Sequence, residues 1–227
     1  MDYASIAAGA EAVGLVARGG FSVSEADGLP MLADGRPAAT LILLGTVGGR
    51  GFDRFLVAPE ASDGKPDPLD RWSARVIDAL AADLGARALY PFGGPPWWPF
   101  QRWAARAEPV APSPLGLLIH PDHGLWHSWR GALAFAETID VPVRADRPSP
   151  CSGCIDRPCL HACPVGAYQP GGFDVAACAR HLAVPAGRDC MEAGCRARRA
   201  CPVRPAQEQS PEQIRFHMQA FRAVHPA

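Results

Sequence analysis

The sequence predicts a two-part α+β protein, a helix-and-strand body followed by a small cysteine-rich, metal-binding segment. Three observations predict it. Over the first 145 residues, apolar runs of helix length and strand length alternate. All eight Cys fall between Cys151 and Cys201. All six Trp fall between Trp72 and Trp129. A length of 227 residues suits one large domain or a medium one with a small one. With 48% apolar residues and a net charge of −1, the chain is globular rather than disordered.

The elements follow in order. Residues 4–17 read as an Ala-rich helix ended by Gly19 and Gly20. Residues 39–44 read as a buried strand entering a Gly-rich turn at 45–51. Asp67, Pro68 and Asp70 mark a helix start: an N-cap acid, a first-turn Pro and a carboxylate at the positive end of the dipole. Leu69, Trp72, Val76, Ile77, Leu80 and Leu84 keep helical spacing up to a stop at Gly85. A short strand over 87–90 follows. Residues 91–100 hold four Pro and four aromatics, a lid or a packed surface knot, with 92–100 the candidate lid. Residues 115–119 and 133–135 read as strands, and 141–150 as a Pro-rich linker. Ser210, Pro211 and Glu212 cap a last helix to Val224, with Ile214, Met218 and Phe221 on one face. The expected domains are residues 1–145, residues 146–209, and a C-terminal helix, 210–227, packing on the body.

Charge and targeting narrow the setting. The near-neutral balance implies no nucleic-acid and no membrane partner. The N-terminus carries Asp2 and Glu11 and no basic region, so it does not read as a signal peptide. No run of about 18 apolar residues exists. A cytoplasmic protein is expected, and in that reducing compartment clustered thiols read as metal ligands rather than disulfides.

Cys151, Cys154, Cys159 and Cys163, followed by Pro164, have the spacing C-x2-C-x4-C-x3-C-P. The bacterial ferredoxin run is two residues shorter before its third Cys. Three thiolates of such a loop reach one cubane, and the fourth, before Pro, turns to the other cluster. Cys178, Cys190, Cys195 and Cys201 follow, ending in the same Cys-Pro pair. The crossing rule gives two [4Fe–4S] clusters, one on Cys151, Cys154, Cys159 and Cys201, the other on Cys163, Cys178, Cys190 and Cys195. Two zinc sites would use as many thiolates, but zinc ribbons favour two C-x2-C knuckles and one is present. One cluster with four spare thiols is a further alternative. His161 and His181 could ligate iron, but with eight thiols available they read as surface or supporting residues. The segment resembles the dicluster ferredoxin domain of epoxyqueuosine reductase, which also places an isolated Cys before a short helix between its blocks, as Cys178 stands here. The insertion before Cys159 and the stretched run from Cys190 to Cys201 depart from that pattern.

Upstream, Gly116, His120, Gly124, Trp126 and Arg130 lie in one stretch dense in groups able to meet a ligand. Residue types alone favour a structural reading, with His120 satisfying backbone, Trp in the core and Arg130 paired with a carboxylate. The stretch, however, resembles the I-H-P-x-x-G-x-W-x-x-x-R-G segment of the CblC cobalamin-processing family, and Phe52, Asp53, Arg54 and Asp67 to Asp70 match it in order. That resemblance implies a nitroreductase-like α+β fold with a mixed sheet and flanking helices. It also implies a corrinoid-lining role for Gly116 and His120, and an anion-binding role for Arg130. No acid is matched to the reductase family's proton donor; Asp122 is the one candidate.

Together the resemblances imply a corrinoid-dependent oxidoreductase. The clusters would pass electrons from a reduced ferredoxin or flavodoxin to the cobalt of cobalamin, with loss of its upper ligand, or the reduced corrinoid would act on a small substrate. The family's tRNA-binding repeats find no counterpart here, so a substrate other than epoxyqueuosine is expected. The alternative is a ferredoxin-type electron-transfer adaptor without an organic cofactor, docking an acidic partner on Arg196, Arg198, Arg199 and Arg204. A flavin enzyme ranks last, because no residue pattern asks for flavin.

Overall fold

A computed structural model describes residues 1–227. The first half holds α1 (Tyr3–Ala12), β1 (Val16–Ser22), β2 (Thr40–Val47), α2 (Phe52–Leu56), α3 (Pro68–Leu84), β3 (Arg87–Leu89) and α4 (Phe100–Ala107). Then come β4 (Ala111–Pro112), β5 (Leu118–Ile119) and β6 (His127–Phe135). After an irregular connection follow α5 (Pro158–His161), β7 (Tyr168–Gln169), β8 (Gly172–Phe173), α6 (Val175–Leu182), α7 (Arg188–Ala193), α8 (Arg196–Arg199) and α9 (Pro211–Val224). The chain divides into two compact units, residues 1–109 with 127–146, and residues 110–126 with 147–227.

The first unit is built on a four-stranded sheet in the order β1-β2-β6-β3. The expected mixed sheet is not what forms: every neighbouring pair is antiparallel. The connection β2-α3-β3 would make parallel neighbours, but β6 lies between those strands and pairs antiparallel with both. Leu41, Ile42, Leu43 and Leu44 of β2 are fully buried. Each such side chain stabilises the fold by roughly 1.5–3 kcal/mol. Trp72, Val76, Ile77 and Leu80 of α3 are buried in turn, as their spacing predicts. Gly85 stops that helix in the left-handed region, but Asp67 makes no side-chain cap bond.

Two sequence expectations change here. The first helix ends at Ala12, and Gly19 and Gly20 lie inside β1. They are places of close approach rather than helix stops. A Cβ on Gly19 would stand 2.6 Å from the Ala107 carbonyl oxygen, and one on Gly20 would stand 2.6 Å from that of Leu41. The strand expected over 133–135 is the end of β6, a nine-residue strand beginning at His127. Its first half is half-buried and polar, which hides it from a search for apolar runs.

The Pro-rich stretch before α4 is pinned by aromatic packing. Phe92 stacks on Tyr90 at 5.2 Å, and Trp98 stacks on Trp103 at 6.2 Å. The packed knot, rather than a free lid, describes it.

Buried polar groups also hold this unit together. Arg18 and Glu108 are 2% and 8% exposed and form a bidentate pair, Nε to Oε1 at 2.6 Å and Nη2 to Oε2 at 2.9 Å. Arg18 also donates to the Thr46 carbonyl at 3.1 Å, and the Trp129 indole N–H donates to Glu108 at 3.2 Å. Burial pushes the Glu108 carboxyl up from its ordinary range, against the pull of Arg18.

The second unit takes residues 110–126 away from the expected N-terminal domain. The reason is apolar packing. Leu115, Ile119 and Leu125 form one buried cluster with Ala197 and Cys201, and Cys151, Cys159, Cys163 and Cys195 pack against it. The C-terminal helix also belongs to this unit, where α9 packs on α7 and Phe221 meets Phe173 at 6.3 Å. Ser210 caps α9 as expected, accepting from the Gln213 N–H at 3.1 Å.

Candidate functional site

All eight cysteines lie in the second unit, on short helices and tight turns. Cys151 and Cys154 share a turn closed by the Cys154 N–H and the Cys151 carbonyl at 3.4 Å. Cys159 lies in α5, Cys178 in α6 and Cys190 in α7; Cys195 precedes α8 and Cys201 closes the turn after it. None forms a disulfide.

Their surroundings sort them into two sets. Cys159 feels Cys201, Cys151 and Cys154, and Cys151 feels Cys201 and Cys154. Cys178 feels Cys195, Cys163 and Cys190. Burial pushes the Cys178 thiol up to about 11, with the neighbouring sulfurs adding to it. Burial likewise raises Cys151, Cys159 and Cys190. Metal-free, these thiols are protonated at neutral pH, so metal binding releases protons. The first set lines a small apolar pocket beside Pro114, Ile119, Pro158 and Pro202. No group of three or more His, Cys, Asp and Glu side chains closes tightly enough to hold a single ion. Soft thiolates spread around an apolar cavity suit a cluster, whose irons are reached from several sides.

The second set receives more hydrogen bonds. The Tyr168 hydroxyl lies 3.5 Å from Cys195 Sγ, and the Ala167 N–H donates to Cys163 Sγ at 3.3 Å. Tyr168 carried no sequence signal, because nothing in the Cys spacing calls for an aromatic four residues beyond Pro164.

The carried-over stretch divides between the units. Gly116, His120, Gly124 and Trp126 belong to the second, Arg130 to the first. Gly116 has φ +73° in the turn between β4 and β5, with open space where a Cβ would point. Gly124 has φ +58°, and a Cβ there would stand 2.1 Å from the Val203 carbonyl oxygen. Gly124→Ala is therefore expected to cost about 3 kcal/mol or more and Gly116→Ala about 1 kcal/mol, read as the difference in urea midpoint. The ring of His120 is buried and stacks on His123 at 4.2 Å, and its Nδ1 accepts from the Asp122 N–H at 3.0 Å. Trp126 is buried under Arg198 at 4.4 Å, and its indole N–H has no hydrogen-bond partner. Arg130 bonds the Asp70 carboxylate and the Ser73 hydroxyl, the latter at 3.0 Å.

Two other candidates read differently in the structure. Arg147 donates to Asp122 at 2.6 Å and holds its carboxyl below the usual carboxylate range, which favours the ionised form. The basic run is internally paired: Arg196 and Arg199 bond Asp189, Arg204 bonds Glu208, and Arg198 donates twice to the Leu125 carbonyl.

Fold and site together define an α+β chain that adds a unit with two four-thiol sets to an antiparallel-sheet body. No family model and no curated protein matches it. Among solved structures it is similar to CblC, a B12-trafficking protein of C. elegans, at 13% identity over 96% of this chain and 95% of that one, with a TM-score of 0.52. That likeness is one of fold. It is also similar to an epoxyqueuosine reductase solved with a tRNA stem loop, at 14% identity over 98% of this chain and 70% of that one, TM-score 0.49. A Bacillus subtilis epoxyqueuosine reductase matches at 17% identity over 92% and 69%, TM-score 0.47. The expectation of no nucleic-acid partner is corrected on the tRNA-bound structure. Net charge alone does not exclude phosphate contacts. No helix is long and apolar enough to cross a membrane.

Proposed function

We propose that the chain is a redox protein whose second unit carries two [4Fe–4S] clusters and delivers their electrons to a corrinoid. The grouping of eight thiols into two sets of four carries this reading. Cys151, Cys154, Cys159 and Cys201 would hold one cluster, and Cys163, Cys178, Cys190 and Cys195 the other. Bound clusters supply one-electron transfer at potentials set by charge and hydrogen bonding around their sulfurs. The chain's own part is to place the thiolates, wrap them in apolar side chains and limit water. The corrinoid is supported by the likeness of fold to CblC.

Anaerobic reconstitution with iron and sulfide tests the first link, with about eight irons per chain and two cubane EPR signals expected. Two bound zinc ions, or four irons, would overturn it. Titration with cobalamin tests the second, a corrinoid absorption spectrum that changes on binding being the expected result. An unchanged spectrum at saturating protein favours the second reading, an electron-transfer adaptor without an organic cofactor. One observation favours that reading already: Gly116, Gly124 and Arg130 each have a structural explanation in turn, packing or ion pair.

A further inference from the structure

We propose that the two thiol sets are unequal, and that Tyr168 and Arg198 make the cluster on Cys163, Cys178, Cys190 and Cys195 the one reduced first. The inference rests on the cluster reading above and deepens it. Reduction adds a negative charge to a cluster that already carries four thiolates, so hydrogen bonds and positive charge near the sulfurs raise its potential.

The structure distributes both unevenly. Around the second set, the Tyr168 hydroxyl reaches Cys195 at 3.5 Å, and the Ala167 backbone N–H donates to Cys163 at 3.3 Å. A coordinated sulfur is a thiolate, so the Tyr168 hydroxyl is the donor in that pair. The Arg198 charge is felt at Cys195 and Tyr168. Its guanidinium is half-buried and fixed by two bonds to the Leu125 carbonyl, at 3.0 and 2.7 Å, and by stacking on Trp126. A carbonyl leaves that positive charge uncancelled, and partial burial reduces its screening by solvent. Asp189 opposes it beside Cys190 but is paired with Arg196 and Arg199. Around the first set, the Cys151 backbone N–H donates to Ser149 Oγ at 3.3 Å, and the nearby charge is Arg157, which is exposed and screened.

The test is a redox titration of the reconstituted full chain, followed by EPR. Two midpoints are expected. Tyr168→Phe should lower only the higher one, shifting its reduction equilibrium about tenfold, ~59 mV for one electron. Arg198→Gln should lower the same midpoint, and Arg198→Lys should restore most of the shift. These are positioning effects on potential, and a merely structural role for either residue would not move one midpoint alone. Two midpoints that Tyr168→Phe leaves in place, or a shift of the lower midpoint, overturn the proposal alone. A wild-type chain that takes up no iron and sulfide overturns the cluster reading and the proposal with it.

Discussion

Cys201→Ala is expected to remove about half of the iron that the reconstituted chain binds and to erase one of its two EPR signals. Cys201 comes last in the sequence, yet it lies in the buried cluster of Leu115, Ile119, Leu125 and Ala197 and lines the cavity with Cys151, Cys154 and Cys159. If each block of the sequence held its own cluster, Cys201 would act with Cys178, Cys190 and Cys195 instead. Double variants separate the two arrangements. Cys201→Ala combined with Cys154→Ala should lose no more iron than either alone, because both act on one cluster. Cys201→Ala combined with Cys190→Ala should lose nearly all of it. Residues of one set act as a unit, so their effects do not add, whereas independent sites add. Far-UV circular dichroism of the same variants should show a loss of helix, because cluster-binding free energy is folding free energy in a unit with so small an apolar core.

The second large effect belongs to the first unit. Arg18→Met is expected to cost about 3–5 kcal/mol in urea unfolding followed by Trp fluorescence, because it leaves the Glu108 carboxylate buried without its cation. The pair joins β1, through Arg18, to Glu108 at the end of α4, and Arg18 reaches β2 at Thr46 while Trp129 of β6 reaches Glu108. Its loss should therefore be felt as global unfolding of that unit. Replacing both partners, Arg18→Met with Glu108→Leu, should recover most of the lost stability, since an apolar pair of similar volume has no charge to desolvate. A double variant as unstable as Arg18→Met alone would show that the cost comes from packing around Trp129 rather than from the unpaired charge.

Both predictions join residues that no local pattern connects. Arg18 and Glu108 are 90 positions apart, and neither stands in a motif. Their pairing follows from the antiparallel sheet and from α4, a helix hidden behind a Pro-rich stretch. Gly19 and Gly20 show the same limit, since glycine marks both helix ends and close strand contacts, and only the Ala107 and Leu41 carbonyls distinguish the two. The cysteine segment has a pattern that is legible locally, because its thiols stand in short loops at fixed spacings.

The amino-acid order alone was enough for what depends on neighbours along the chain. It marked α3 with its stop at Gly85, the Ser210 cap of α9, and the thiol spacing from Cys151 to Cys163. Folding settled what depends on burial across long separations. It moved residues 110–126 into the cysteine unit, because Leu115, Ile119 and Leu125 bury their apolar surface against Ala197 and Cys201. It paired Arg196 and Arg199 with Asp189 and set the half-buried Arg198 against a carbonyl. Local signals report on backbone conformation, while which charge stands beside which thiol is fixed only when the apolar surface closes over both.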